Sequence, residues 1–252
     1  MYTEFAPIYD RLMQTVDYSA WAAYYDALLR KYVSPGGRVC ECACGSGGLT
    51  VPLKRLGWQI TGTDLSRDML ALAVVKAREA GLDIPFVRQD MCALRVHRPQ
   101  DAVLCTCDGV NYLLDPRRVR RFFSAAYASL RPGGVLAFDV STPFKLRDTL
   151  GDQTLGSAEE EISYIWQNAW HPRTRRVDMR LSFFVRQQDG RSVRVEEEQS
   201  QRAYTQEELM RWLAETGFCG IRIYGDCVMR APGLEESRWH IVARRPKEKQ
   251  NP

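Results

Sequence analysis

Residues 38–50, RVCECACGSGGLT, constrain this chain more than any other stretch. A short apolar run enters a glycine-rich turn and continues into LTVPLKRLG, which has the character of a short helix. A strand, a tight turn and a helix in that order bring backbone close to a ligand and aim helix N–H groups at it. Alternation along the strand puts Cys40, Cys42 and Cys44 on one face, with Val39, Glu41 and Ala43 on the other. Three cysteines so close together raise the question of a metal. Structural zinc sites draw on cysteine pairs two to four residues apart, followed by a second pair or by histidines. No C-x-x-C occurs here, and His97, His171 and His240 are far apart in sequence. The cysteines are therefore read as small apolar packing groups, and no metal ligands are assigned.

The rest of the chain alternates apolar runs with amphipathic stretches, the pattern of a parallel sheet covered by helices. Strands are expected at RVCECA (38–43), QITGTD (59–64), PFVRQD (85–90), DAVLCTC (101–107) and GVLAFDVS (134–141). Helices are expected at about 19–32, with Trp21, Tyr24, Tyr25, Leu28 and Leu29 as the apolar face, at 66–80 behind a Ser66 cap, and at 116–130 behind Pro116. From about 158 to 204 the pattern changes to three strands without intervening helices, an antiparallel flap. A helix then opens on Thr205 and Glu208, spaced as a capping box, and GIRIYGD and RWHIVARR close the sheet. The expected fold is Rossmann-like α/β: a doubly wound, mostly parallel seven-stranded sheet with helices on both faces, plus a small antiparallel insertion. The chain divides into an N-terminal helical lid segment (1–35), a core (36–157 and 205–246), the inserted flap (158–204) and a tail (247–252).

Composition excludes several classes of protein. With 45% hydrophobic and 26% charged residues the chain can build a core and is not disordered. No run approaches the roughly 18–20 apolar residues of a membrane helix. The N-terminus lacks signal-peptide character, so a cytoplasmic protein with free thiols is expected. The net charge of +4, with arginines crowded between 176 and 194, is thinner than the basic stripe of a nucleic-acid-binding surface.

The ligand is indicated by two acids more than by the glycines. The dinucleotide fingerprint wants a third small residue where this chain has Thr50, which weighs against a nicotinamide cofactor. Asp64 ends the second strand, where a carboxylate can accept from both ribose hydroxyls. Asp90 ends the third, beside apolar Met91, where it could receive an adenine amino group. Two acids at successive strand tips line one crevice and favour an adenosine ligand.

With those residues in view, the chain resembles the class I S-adenosylmethionine-dependent methyltransferases over most of residues 36–245. ECACGSG (41–47) is similar to that family's first motif, GTDLSRDML (62–70) to its second, QDM (89–91) to its third, and LRPGGVLAFDV (130–140) to its closing turn and strand. The resemblance implies S-adenosylmethionine as cofactor, held by Glu41, Ala43, Gly45, Asp64, Leu65, Met69, Asp90, Met91 and Cys107. FAPIYDRLM is similar to a bacterial subgroup in which a tyrosine closes over the cofactor, which makes Tyr9 a lid residue. Ala43 replaces the turn's first glycine, a change expected to be tolerated if its φ stays negative.

The acceptor side is less marked. TCDGVNYL (106–113) stands where some relatives carry an N-P-P-Y or D-P-P-Y motif, and no acid–acid–Asn metal set of the catechol branch is evident. Candidate catalytic residues are Asp108, Asn111, Tyr204 and His240; candidate substrate contacts are Asp108, Asn111, Trp166, Trp170 and Arg202. The aromatic load of the flap fits an apolar cover over a small acceptor. RNA or protein methylation is the alternative, and a nicotinamide oxidoreductase lacks a Tyr-x-x-x-Lys pair in a plausible helix.

Overall fold

The computed structural model describes residues 16–187 and 189–247. Its main sheet contains β1 (Arg38–Cys42), β2 (Gln59–Asp64), β3 (Phe86–Arg88), β4 (Gln100–Cys105), β5 (Leu130–Ser141), β10 (Cys219–Tyr224) and β11 (Arg238–Arg244). Their spatial order is β10-β11-β5-β4-β1-β2-β3. β1 pairs in parallel with both β2 and β4, so the strand order reverses at β1 and a crevice opens beyond its carboxyl end. β11 is antiparallel to both of its neighbours.

Local sequence accounts for the helices. Asp17 caps α1 (Tyr18–Leu29) through Ala20 N. Ser66 Oγ accepts from Met69 N at the head of α3 (Arg67–Glu79), which follows the short α2 (Thr50–Arg55). Asp115 caps α4 (Pro116–Ser129), whose first residue needs no N–H partner. Thr205 and Glu208 form the expected capping box on α5 (Gln206–Thr216), and Gly217 ends it at φ +104°.

Alternating side chains of the sheet feed two apolar layers. Cys40, Cys42, Val103, Cys105, Leu136 and Phe138 pack with α4 and α5. Val39, Ile60, Leu104, Val135 and Ala137 pack with α1 and α2. All eight cysteines are free, and Cys40 and Cys42 are buried packing groups. Within the segment 1–35, expected to be a helical lid, Tyr25, Leu28 and Leu29 of α1 are wholly buried, so this helix is part of the core. Tyr9 lies outside the described residues.

The flap is a separate four-stranded antiparallel sheet, β6 (Thr154–Ser157), β7 (Ile162–His171), β8 (Arg176–Arg186) and β9 (Ser192–Arg202). It has one strand more than the sequence reading and starts earlier. Thr154–Ser157 is short and mostly exposed, so no apolar alternation marks it. One face of the sheet carries Trp166, Trp170, Val177 and Met179 onto Leu146 and Leu150 of the helical segment Lys145–Leu150. That contact roots the flap beside the end of β5.

Candidate active site

The turn after β1 is built by left-handed residues. Ala43 lies at φ +51° and Gly45 at φ +54°. The first value corrects the expectation of a negative φ at Ala43, where the turn geometry overrides a conformation costing about 1–2 kcal/mol for a residue with a Cβ. A Cβ added at Gly45 would meet nothing within 4 Å, so the backbone faces open space in front of the crevice. Cys44 N donates to Thr63 O at 3.0 Å and ties the turn to β2.

Two carboxylates stand by this turn, one bonded to its backbone and one to the threonines that flank it. Asp64 accepts from Gly45 N at 2.9 Å through Oδ2 and from Ser66 N at 2.8 Å through Oδ1. Burial raises its pKa, and the backbone N–H groups pull against that. Glu41 is deeper, only 1% exposed, and accepts from Thr50 Oγ1 at 2.6 Å and Thr106 Oγ1 at 3.1 Å. Burial pushes its carboxyl up to about 7 in spite of both hydroxyls. Thr50, the residue that breaks the dinucleotide fingerprint, is therefore the partner that lets a glutamate sit beneath the loop.

The other cofactor candidates distribute unevenly around the crevice. Leu65 follows Asp64 with 54% of its surface exposed, an apolar side chain at the rim. Asp90 caps the turn Met91–Ala93 through Cys92 N at 2.9 Å and pairs with Arg118 at 2.8 Å. Met91 is half-buried, its sulfur 3.8 Å from Cys105 Sγ. Met69 is 3% exposed and packs inward. Cys107 lies at φ +53° in the turn after β4, next to Asp108 at φ +55°.

That turn hangs from a residue the sequence reading did not single out. Asp139 of β5 is wholly buried and accepts from Cys107 N and Asp108 N, each at 2.8 Å, and from Tyr25 Oη at 3.1 Å. Arg238 of β11 donates to the same carboxylate, pairs with Asp108 at 2.5 Å, and lies 5.0 Å from the ring centre of Trp21. Gln201 of β9 donates to Asp108 Oδ2 at 2.8 Å, so the flap is tied directly to the loop. Burial works against ionisation of Asp108, but Arg238 and Lys145 outweigh it and hold the carboxyl below its ordinary value. Lys145 is lowered by its own burial, with Asp108 opposing. An aspartate inside the apolar run GVLAFDVS was the available signal for Asp139; no local pattern marks Arg238, Lys145 or Gln201.

Of the acceptor-side candidates, Asp108 alone stands in this cluster. Asn111 is spent on backbone, donating to Ser141 O at 3.0 Å and Arg202 O at 2.9 Å and accepting from Ser141 N at 2.9 Å. Tyr204 is buried with its hydroxyl on Leu113 O. Arg202 donates to Leu114 O at 3.2 Å and lies 5.4 Å from the ring centre of Tyr204. Trp166 and Trp170 pack against the flap's root. His240 is wholly buried behind Asp139, its Nδ1 3.0 Å from Tyr25 Oη. Its Nε2 lies 3.4 Å from Asp226 Oδ1 and 3.7 Å from Cys227 Sγ, a neighbourhood that sequence spacing could not show.

A strand-order reversal, an open glycine turn and two strand-tip acids define a nucleotide-type crevice of the methyltransferase kind. The comparisons agree. A methyltransferase-domain family profile matches residues 39–134. A candidate methyltransferase of Geobacillus sp. (strain WCH70) is 37% identical over 97% of this chain and 99% of its own length. One of Bacillus subtilis (strain 168) is 33% identical over 98% of each. The crystal structure of an S-adenosylmethionine-dependent methyltransferase from Clostridium acetobutylicum ATCC 824 superposes with a TM-score of 0.88 at 29% identity, covering 97% of this chain and 99% of that one. The chain belongs to the class I S-adenosylmethionine-dependent methyltransferases, and S-adenosylmethionine is its methyl donor. The open space at Gly45 and the apolar rim at Leu65 fit such a molecule.

Proposed function

We propose that the enzyme methylates a small polar molecule bound between the turn 106–108 and the inner face of the flap. The observation carrying this reading is the tie from Gln201 to Asp108, reinforced by Tyr112 Oη donating to Gln199 Oε1 at 2.8 Å. Both bonds seat the flap over the acceptor side, and a cover so close suits a compact acceptor better than a polymer. In this reading Asp64 takes the ribose hydroxyls, Leu65 and Met91 border the adenine, Asp90 lies at its amino edge, and the backbone of Gly45 lies against the methionyl portion. Ala43 and Cys107 contribute backbone to the same wall, and Glu41 supports it from beneath.

The donor supplies a methyl group already activated on a sulfonium. The protein's task is to orient the acceptor and exclude water. Asp108, paired with Arg238, is a poor base; its role is to hold a donor hydrogen of the acceptor and so fix the nucleophile's direction. Lys145 is half-buried, and its charge, felt by Asp108, helps keep that carboxylate ionised.

The test is to incubate the enzyme with methyl-labelled donor and a bacterial extract separated into small-molecule, RNA and protein fractions. Label is expected in the small-molecule fraction. Label confined to RNA or to protein overturns the proposal.

A further inference from the structure

We propose that Asp226, Cys227 and His240 form a zinc-binding site behind the acceptor loop, separate from the cofactor crevice. They are the one group of His, Cys and carboxylate donors among the described residues close enough to share an ion, with ligand atoms within 4.8 Å of one another. Tetrahedral zinc has bonds of about 2.0–2.1 Å to nitrogen or carboxylate oxygen and about 2.3 Å to sulfur, which place N and O ligands about 3.3 Å apart and N and S ligands about 3.5 Å apart. The observed separations from His240 Nε2 are 3.4 Å to Asp226 Oδ1 and 3.7 Å to Cys227 Sγ. Both match edges of a coordination tetrahedron, and the third separation, Asp226 to Cys227, lies within 4.8 Å.

The proton arrangement points the same way. Asp139 can only accept, so the Tyr25 hydroxyl at 3.1 Å must donate to it. The Tyr25 oxygen then accepts from His240 Nδ1–H at 3.0 Å. In the neutral ring this leaves the Nε2 lone pair facing a thiol and a carboxylate. A histidine whose second nitrogen is fixed by a hydrogen-bonded partner is the usual arrangement of a metal ligand. A second buried group nearby is also unsatisfied: the Tyr24 hydroxyl has no hydrogen-bond partner, its ring centre is 4.7 Å from that of His240, and the charges it feels include Cys227 and Asp226. A solvent molecule on the ion would complete the fourth position and could also serve that hydroxyl.

Binding displaces the Cys227 proton to solvent and forms an S–Zn bond, with His240 and Asp226 as neutral and anionic partners. The ion then clamps the loop between β10 and β11 to α1. Through Tyr25 it also steadies Asp139, which carries the acceptor turn.

The test uses chelator-stripped full-length protein. Zinc is titrated against a chromophoric chelator, and cobalt is added as a spectroscopic substitute. The expected result is one tight equivalent, with thiolate-to-cobalt charge-transfer absorption that disappears in Cys227→Ser. Tyr25→Phe keeps all three ligands and should weaken zinc about 10- to 100-fold. Binding of S-adenosylhomocysteine, measured on the same preparations, separates loss of the metal from loss of the fold or of the cofactor site. Zinc binding equal in the wild type and Cys227→Ser, or no zinc binding at all, overturns the proposal and leaves a thiol–imidazole hydrogen bond.

Discussion

Glu41→Gln should make this enzyme more stable, by an amount that grows as pH rises from about 4.5 and levels off a little above 7. The Glu41 carboxyl is buried, and its pKa stands at about 7 against an ordinary value of 4.5. Across that interval the folded protein holds more protons at this site than the unfolded chain does. Stability therefore falls as pH rises from about 4.5, and the loss is complete a little above 7. At about 1.4 kcal/mol per pH unit the interval amounts to about 3 kcal/mol, an upper bound because water can reach the site as the protein relaxes. Glutamine keeps the shape without the charge. Its oxygen accepts from one threonine hydroxyl, and its amide donates to the other after that hydroxyl turns. Urea denaturation of the cofactor-free protein at pH 5, 7 and 8.5 should find the variant about 1–3 kcal/mol more stable than wild type at pH 8.5, shrinking to less than about 1 kcal/mol at pH 5. Because the carboxylate is already occupied by Thr50 and Thr106, affinity for S-adenosylhomocysteine should change by less than about threefold. A stability difference that is constant across the three pH values, or a less stable variant at pH 8.5, refutes the reasoning and makes Glu41 an anion that the turn requires.

Asp64→Ala should weaken S-adenosylhomocysteine about thirtyfold by calorimetry, as two charge-assisted ribose bonds are lost. It should also cost the apo protein about 1–3 kcal/mol, because Gly45 N and Ser66 N lose their acceptor. Ala43→Gly relieves a left-handed residue while loosening the unfolded chain, so chemical denaturation should show a gain of no more than about 1 kcal/mol with cofactor affinity retained. Asp139→Asn leaves Arg238 with Asp108 as its remaining carboxylate and removes one acceptor from the turn 107–108; a loss of about 3–5 kcal/mol should appear as a fall in Tm of about 6–20 °C.

The sheet was legible because each strand and helix announces itself locally: QITGTD is the strand Gln59–Asp64, and Ser66, Pro116 and Thr205 mark helix starts by capping chemistry. The crevice at the end of β1 was legible for a related reason, since Gly45, Asp64 and Asp90 sit where their own strands end. What stayed hidden is contact between strands distant in sequence. Asp139 faces His240 across the β5–β11 ladder, and Ser141 faces Arg238. Nothing in either segment names the other. Asn111 and Tyr204 misled because a polar group after a strand looks the same whether it meets substrate or backbone; here both satisfy carbonyls that burial would otherwise strand. The helix of residues 18–29 was grouped with the lid expected at Tyr9, although its apolar face of Tyr24, Tyr25, Leu28 and Leu29 is that of a core helix.

If the acceptor binds at the turn 106–108 as proposed, the buried charges say where its choice can reside. Asp139 has about four acceptor sites, and Cys107 N, Asp108 N, Tyr25 and Arg238 take them all. The turn that presents Asp108 is therefore set before any ligand arrives, which is the preorganisation that an in-line displacement needs. Of the two partners that Asp108 itself holds, Arg238 is locked by Asp139 and by Trp21. Gln201 belongs to the flap and can be exchanged for a hydrogen-bond donor on the acceptor without breaking the core. On that proposal the fixed half of the site belongs to the sheet and the adaptable half to the flap. A change of substrate within this architecture would be written in β7 to β9 and in Lys145–Leu150, and would leave Asp139 and Arg238 in place.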